Sequence, residues 1–277
     1  VVTAADPARL AEEVSLPPAT PGERLYKPRS LAVAARPGYN PPMLIDLNAD
    51  LGEGAGTDAD LMPLVTSANI SCGFHAGDAD TIAAAIRLAA EHGVAVGAHP
   101  GYADREHFGR RELTLTSEQV LLLTLHQLGG FRALADWFGV YVRYVKPHGA
   151  LYNQACRDPG YAAGVVTATG EFYDRPMPVV ALPGSVLQSV AESQGRVFVP
   201  EGFADRRYRP DGSLVPRSEP DAVLHDPKDV LAQVEWLVRE KGVRTICVHG
   251  DTPGAVEFVR AVRGALLDAG HELKTFA

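Results

Sequence analysis

The sequence predicts a single-domain α/β barrel with seven parallel strands, and three observations lead to this fold class. From Met43 onward, short apolar runs of β-strand character alternate with amphipathic stretches of helical length. Strands that are separated by helices pair in parallel through βαβ crossovers. The 277 residues, 46% of them hydrophobic, are enough for one sizeable core. We therefore expect a closed or distorted seven-stranded barrel, and an open doubly wound sheet is the alternative.

The predicted strands and helices follow one another in order along the chain. The strands are expected at residues 44–51, 69–74, 94–98, 140–145, 179–182, 197–199 and 245–248. The clearest helices are expected at residues 79–91, 117–137, 185–193, 227–241 and 254–269. No GxGxxG or Walker A pattern occurs in the sequence, which disfavours a dinucleotide-binding or P-loop domain.

Residues 1–42 differ in composition from the remainder of the chain. They hold eight of the 21 prolines and show little periodic apolar pattern. Because Pro-rich chain cannot build a core of its own, this segment is predicted to be an N-terminal tail. The catalytic barrel domain is predicted to span residues 43–277.

Composition and charge exclude several classes of function. The formal net charge of −8, without a basic stripe, argues against nucleic-acid binding. No apolar run reaches the roughly 20 residues that a membrane span requires, and residues 1–10 do not resemble a signal peptide. Three scattered cysteines suit a reducing compartment, so a cytoplasmic location is expected.

Polar side chains recur at the carboxyl ends of the predicted strands. In the first strand Asp46, Asn48 and Asp50 share one face, because successive side chains of a strand alternate. His99 follows the third strand, and Lys146 follows the fourth. Barrel active sites are built at the carboxyl ends of the strands, whereas unpaired charge inside a barrel is costly. We therefore expect these groups to form one shared site.

The candidate residues fall into two groups by expected role. The catalytic candidates are Asp46, Asn48, His75, His99, Lys146, His148 and His249. The substrate-binding candidates are Asp50, Glu53, Asp205, Arg206, Arg217 and Asp251, whose arginines can hold a carboxylate or phosphate through a bidentate fork. Lys146 is either an anion anchor or an amine of depressed pKa, and any one strand-end histidine could simply be a hydrogen-bonded core residue. Cys72 and Cys247 are predicted to be inert thiols.

Six blocks of the sequence resemble the LamB/YcsF family over about residues 43–277. They are IDLNADLGEG (45–54), SANISCGFHAGD (67–78), GVAVGAHPGYADREHFGR (93–110), VKPHGALYN (145–153), FADRRYRPDGSLVPRS (203–218) and CVHGD (247–251). The resemblance implies a barrel related to the glycoside hydrolase and deacetylase superfamily.

The resemblance also implies the activity of the A subunit of 5-oxoprolinase. That activity opens the lactam of 5-oxo-L-proline to L-glutamate, coupled to ATP hydrolysis, together with partner subunits B and C. ATP is expected to act through the partner subunits, and a homo-oligomer is also compatible. In this scheme Asp46 or a site histidine is the general base, and Lys146 with Arg206 or Arg217 neutralises anionic charge.

Two alternatives remain open from the residues. The first is a metal-dependent deacetylase or amidohydrolase, with Asp46, His75 and His99 around a divalent ion. The His-x-x-x-His pair that such deacetylases carry on one element is missing from the sequence. The second is a non-catalytic subunit that binds a small acidic metabolite.

Overall fold

The computed structural model describes residues 42–171, 176–210, 212–215, 219–224, 226–248 and 254–277. Apart from Pro42, the predicted N-terminal tail lies outside the described residues. Among the described residues, none of the helices combines the length and the apolar character that a membrane crossing requires.

Seven parallel strands form a closed barrel. They are β1 (Leu44–Leu51), β2 (Ser67–Ser71), β3 (Ala95–His99), β4 (Val142–Val145), β5 (Val179–Ala181), β6 (Phe198–Phe203) and β7 (Thr245–Val248). Each strand pairs with the next one along the chain, and β1 pairs with both β2 and β7. This closure confirms the predicted barrel, and the open doubly wound alternative is wrong. A short eighth strand, β8 (Glu272–Leu273), pairs in parallel with the beginning of β1.

Helices connect the strands and cover the outside of the barrel. They are α1 (Asp58–Leu61), α2 (Ala79–His92), α3 (Ser117–Trp137), α4 (Gly149–Arg157), α5 (Pro159–Glu171), α6 (Val186–Ser193), α7 (Pro227–Lys241) and α8 (Ala255–Asp268). Single 3₁₀ turns occur at Met62–Leu64 and Arg105–His107. The five predicted helices are present, whereas the short α1 and helices α4 and α5 were not predicted from the sequence.

Helix α2 shows why these segments fold where they do. The side chain of Asp78 accepts a hydrogen bond from the Thr81 N–H, and Gly93 ends the helix with φ 67°, a left-handed conformation that favours glycine. Between these caps, Ile82, Ala85, Ile86 and Ala89 are buried at helical spacing against the barrel. Truncation of such a buried isoleucine to alanine typically costs about 2–5 kcal/mol.

The alternation along β1 separates two environments. Ile45, Leu47 and Ala49 are buried in the apolar core between the sheet and the helices. Asp46 and Asn48 are almost fully buried on the opposite face, where their partners are polar side chains of other strands. The barrel interior is therefore polar, in contrast to the branched apolar filling of most barrels.

The C-terminal segment closes the interior at the beginnings of the strands. The Phe276 ring packs on the Tyr144 ring with 5.0 Å between centroids, beside the buried Val180 and Val199. The Thr275 and Ser67 hydroxyl groups are 3.0 Å apart. The polar site thus lies towards the other end of the barrel, at the carboxyl ends of the strands.

Two predicted strands differ most from the observed ones, and each difference concerns the site. The second strand is Ser67–Ser71 rather than 69–74, because the Ser71 hydroxyl accepts from the Gly73 N–H and donates to the Ala76 carbonyl, which bends the chain away. His75 therefore lies in the following turn. The sixth strand continues to Phe203 instead of ending at residue 199.

Candidate active site

The first layer of the barrel interior is organised around Asp46. Thr66 and Ser67 each donate a hydroxyl hydrogen bond of 2.6 Å to Asp46 Oδ1, and Thr245 donates one of 2.5 Å to Oδ2. Burial raises the pKa of Asp46 to about 6, although these hydrogen bonds oppose the shift. The carboxyl group is thus held by three hydroxyl groups near the beginnings of β1, β2 and β7.

A chain of amide hydrogen bonds leads from this layer towards the carboxyl ends of the strands. Asn48 Nδ2 donates to Thr245 Oγ1 at 2.6 Å and to Glu201 Oε1 at 3.2 Å. Asn69 Nδ2 donates to Asn48 Oδ1 at 2.7 Å and to Asp50 Oδ1 at 2.8 Å. These shared partners orient Asn48 and Asp50 towards the middle of the barrel.

Lys146 lies at the centre of the interior. Its Nζ is 2.8 Å from Glu201 Oε1, 3.0 Å from Asp50 Oδ1 and 3.1 Å from Cys247 Sγ. Burial alone would lower the pKa of Lys146, but the charges of Asp50 and Glu201 hold it well above its usual range. The alternative of an amine with depressed pKa is therefore wrong, and Lys146 is an ammonium group between two carboxylates.

Glu53, His75, His99 and His148 form the carboxylate–imidazole cluster. Glu53 Oε1 lies 3.1 Å from His75 Nε2, 3.3 Å from His148 Nδ1 and 3.9 Å from His99 Nε2. His148 Nδ1 and His99 Nε2 are 3.0 Å apart, and the His75 and His148 rings stack with 3.8 Å between centroids. Asp50 Oδ2 lies 3.4 Å from His99 Nε2, which joins this cluster to the Lys146 network.

Backbone groups hold two of these rings in place. His99 Nδ1 is 2.7 Å from the Lys146 carbonyl oxygen, and His148 Nε2 is 2.8 Å from the Phe108 carbonyl oxygen. Since a carbonyl oxygen only accepts, each of these ring nitrogens carries the hydrogen. A side chain at Gly109 would come within 2.7 Å of His75 Cβ, so glycine lets the loop after β3 pack against the cluster.

The charge states in the cluster follow from its burial. Burial lowers the pKa of His75 to about 3, and it also lowers the pKa of His148, so both rings are neutral near pH 7. Burial acts to raise the pKa of Glu53, but the contacts with His148 and His75 outweigh it and lower the pKa to about 2. Glu53 thus remains a carboxylate beside the neutral rings of His75 and His148.

The sequence profile of the LamB/YcsF family matches residues 45–277. The chain belongs to the LamB/YcsF family. A crystal structure of a lactam utilization protein from Thermus thermophilus is 42% identical in sequence, with a TM-score of 0.78, and the match covers 84% of this chain and 100% of that chain.

More distant structures resemble this LamB/YcsF chain at much lower identity. The catalytic domain of a peptidoglycan N-acetylglucosamine deacetylase from Eubacterium rectale is 12% identical, with a TM-score of 0.48 over 87% of this chain and 94% of that chain. A family 4 carbohydrate esterase from Streptomyces lividans is also 12% identical, with a TM-score of 0.45 over 85% of this chain and 93% of that chain.

Most of the candidates named from the sequence converge in this LamB/YcsF barrel. The residues that meet in the interior or in the cluster are Asp46, Asn48, Asp50, Glu53, His75, His99, Lys146 and His148. Asp205 and Arg206 are largely buried in the loop that follows β6, where Arg206 Nη2 donates to the Val215 carbonyl oxygen at 2.6 Å. Arg217, His249 and Asp251 lie outside the described residues.

Two interior residues were missed by the sequence analysis. Glu201 is fully buried against Lys146, and Tyr144 donates from its hydroxyl to Asn69 Oδ1 at 2.8 Å. A longer sixth strand would have revealed Glu201, since Val199, Glu201 and Phe203 alternate onto one face. The aromatic ring of Tyr144 gave no such signal, because tyrosine in a strand usually indicates packing.

The potential metal ligands differ from those expected for a metal-dependent enzyme. Glu53, His75, His99 and His148 each offer a ligand atom, and these atoms all lie within 4.8 Å of one another. Asp46 does not belong to this set, since its oxygens are engaged by Thr66, Ser67 and Thr245. The expected set of Asp46, His75 and His99 is therefore corrected: Glu53 takes the place of Asp46, and His148 is added.

Proposed function

We propose that this chain is the A subunit of an ATP-dependent 5-oxoprolinase, which opens the lactam of 5-oxo-L-proline to L-glutamate with subunits B and C. The observation that supports this most is the buried carboxylate–imidazole cluster beside Lys146, at the carboxyl ends of the strands. Membership of the LamB/YcsF family, and the similarity to a lactam utilization protein, agree with a hydrolase that acts on a cyclic amide.

ATP and partner subunits have a chemical purpose in this reaction. A lactam carbonyl is a poor electrophile, and transfer of the γ-phosphoryl group of ATP to its oxygen would activate it. In the proposed sequence the partners carry out this transfer. Water then adds to the former carbonyl carbon in this subunit, the C–N bond breaks, and the ring nitrogen takes up a proton. A second water then hydrolyses the resulting γ-glutamyl phosphate, and the products are L-glutamate, ADP and phosphate.

Within this subunit we assign proton transfer from the attacking water to the carboxylate–imidazole cluster. A general base must lie within hydrogen-bond reach of the water, and typically contributes about 10²–10⁴ in rate. His148 is the favoured base because burial keeps it neutral. Asp46 remains the alternative, but its carboxyl oxygens already accept three hydroxyl hydrogen bonds.

Lys146 has a different role in this proposal from the anion anchor expected at first. With Asp50 and Glu201 both within 3.0 Å, its charge is already balanced inside the barrel. We propose that it positions Asp50, which in turn contacts His99 at 3.4 Å. The arginines Arg206 and Arg217 remain the candidates for the carboxylate of the substrate.

The test is 5-oxoproline-dependent ATP hydrolysis and glutamate release, measured with this chain alone and with subunits B and C. Turnover only in the complete mixture supports the proposal. The absence of turnover in every mixture, with a folded chain and competent partners, contradicts it. His148→Ala and Asp46→Asn then locate the base, because only the loss of the base should reduce turnover about 100-fold or more.

A metal-dependent amidohydrolase is the second candidate, and the ligand set of Glu53, His75, His99 and His148 favours it. A divalent cation held there would supply Lewis acidity. This candidate predicts hydrolysis of an amide or lactam by the isolated chain without ATP, and loss of that activity after treatment with a chelator. Ligand-dependent thermal stabilisation without product in any mixture would instead indicate a binding subunit.

A further inference from the structure

The tautomers of His99 and His148 create an unusual arrangement of lone pairs. The Lys146 carbonyl oxygen fixes the hydrogen of His99 on Nδ1, and the Phe108 carbonyl oxygen fixes that of His148 on Nε2. The other nitrogens, His99 Nε2 and His148 Nδ1, face each other at 3.0 Å. Unless one ring takes up a second proton, both carry lone pairs and neither can donate a hydrogen bond to the other.

The nearby carboxylates place further hydrogen-bond acceptors beside the two ring nitrogens. Glu53 Oε1 is 3.3 Å from His148 Nδ1 and 3.9 Å from His99 Nε2, and Asp50 Oδ2 is 3.4 Å from His99 Nε2. Ionised carboxylates also only accept hydrogen bonds. Four acceptor atoms thus converge on one largely buried region, where repulsion between their lone pairs is weakly screened. A cation at this position would be coordinated by these atoms, and its charge would remove the repulsion between their lone pairs.

The spacing of the acceptor atoms agrees with coordination of one ion. Four ligands placed tetrahedrally at about 2.0–2.1 Å from Zn²⁺ lie about 3.3 Å from one another. The distances from Glu53 Oε1 to His75 Nε2 and to His148 Nδ1 are 3.1 and 3.3 Å, and His148 Nδ1 is 3.0 Å from His99 Nε2. Glu53 Oε1 and His99 Nε2 are further apart, at 3.9 Å, and the His75 ring must turn out of its stack on His148 to direct its lone pair at the same ion.

The surroundings are also those of a metal centre. Histidine ligands usually donate their second N–H to a carbonyl or carboxylate, which fixes the tautomer and directs the bare nitrogen at the metal. His99 and His148 are arranged in this way. The loop that carries the Phe108 carbonyl is held in turn by Gln127, which bonds both the N–H and the carbonyl of Gly101.

We propose that Glu53, His75, His99 and His148 bind one divalent transition-metal ion of the Zn²⁺ class. Three imidazoles and one carboxylate favour such an ion over Mg²⁺ or Ca²⁺, which prefer oxygen ligands. The site rests on the geometry of the cluster, so it is independent of whether the lactam reaction is coupled to ATP. In the metal-dependent candidate the ion would be catalytic. In the ATP-dependent function it would occupy the lone pair of His148 Nδ1, and Asp46 would then be the general base.

The test measures metal binding rather than turnover. The full chain is purified without chelator and its metal content is determined by mass spectrometry. It is then stripped and titrated with Co²⁺, whose visible absorption reports nitrogen and oxygen coordination. We expect one ion per chain. Glu53→Gln and His148→Ala should each weaken Co²⁺ binding about tenfold or more and change the spectrum.

His107→Ala is the matched control, since His107 lies in the loop that carries Phe108 and pairs with Asp104 outside the ligand set. It should bind Co²⁺ as the parent does. The proposal is overturned if the stripped parent shows no Co²⁺ spectrum, or if the His107 variant loses binding as much as the His148 variant. Nitrogen NMR gives a further test. The proposal is overturned if a proton shared between His99 and His148 is present in the metal-free chain and remains unchanged after treatment with Zn²⁺. Circular dichroism of each variant separates loss of the site from loss of the fold.

Discussion

Lys146 and Glu201 form an ion pair inside the barrel, with 2.8 Å between Nζ and Oε1. The Lys146 side chain is 2% exposed and that of Glu201 is fully buried. Asp50 completes the group at 3.0 Å from Nζ. Two carboxylates therefore depend on one ammonium group for the balance of their charge, and one of them, Glu201, is fully buried.

Lys146→Met is expected to destabilise the protein strongly. The substitution leaves Asp50 and Glu201 without their shared cation, and loss of one partner from a buried pair costs about 3–5 kcal/mol. Urea denaturation measures the change in the free energy of unfolding. The double variant Lys146→Met/Glu201→Gln should recover part of the loss, since it removes one of the uncompensated charges.

The control for this prediction is Arg132→Met. Arg132 and Asp136 form an exposed pair at 3.2 Å, and such pairs contribute about 0–1 kcal/mol. Equal losses for Lys146→Met and Arg132→Met would contradict the structural role assigned to the buried pair.

Asp46 should make the stability of the barrel depend on pH. Burial raises its pKa from 3.8 to about 6 in the folded state, so the folded protein binds this proton more tightly than the unfolded chain does. The stabilisation is complete below pH 3.8 and is lost as the pH rises through about 6. A shift of this size corresponds to about 3 kcal/mol at most.

Asp46→Asn removes this titration. As the pH rises from 4 to 7, the parent should therefore lose stability through Asp46, whereas the variant should not. The free energy of unfolding of the variant minus that of the parent, both measured by urea denaturation, should increase over this range. A difference that stays constant over this range would show that the pKa of Asp46 is not raised.

Gly97→Ala tests the contact between β3 and β4. A methyl group at Gly97 would lie 2.1 Å from the Tyr144 ring, so the ring must move and its hydrogen bond to Asn69 must be lost. We expect a loss of stability of about 1–3 kcal/mol, typical of overpacking. Thermal and urea unfolding measure it.

Gly130→Ala is the matched substitution for this comparison. Gly130 lies inside α3, and an added methyl group there meets nothing within 4 Å. Alanine in an open helical position should increase stability by about 0.5–1 kcal/mol. A similar effect of the two substitutions would argue against the close approach at Gly97.

The cysteines should be unreactive in the folded protein. Burial raises the pKa of the Cys72 and Cys247 thiols, and the thiolate is the reactive form. Treatment with iodoacetamide at pH 8, followed by mass spectrometry, should modify these residues only after denaturation. Rapid modification of Cys247 in the native protein would contradict its burial and reopen a nucleophilic role.

Several features of the site could be read from the sequence because they depend on local periodicity. The alternation of Asp46, Asn48 and Asp50 in β1 placed them on one face, and the structure has them on the interior face. His99 and Lys146 were expected at strand ends, and both lie there. Helix α5 could not be found in this way, because a helix with apolar residues around most of its circumference lacks a clear stripe.

Only the tertiary structure decided which of these groups meet. A strand rises about 3.3 Å per residue, so Asp46 lies about 13 Å below Asp50, and only residues near the carboxyl end of β1 can reach the histidines. Glu53 reaches them because the chain turns after β1, where Gly52 adopts φ 71°. Local periodicity in the sequence thus determined only which residues face inward. The meeting of Glu53 with His75, His99 and His148 depends on strand register and loop packing, which join residues far apart in the sequence.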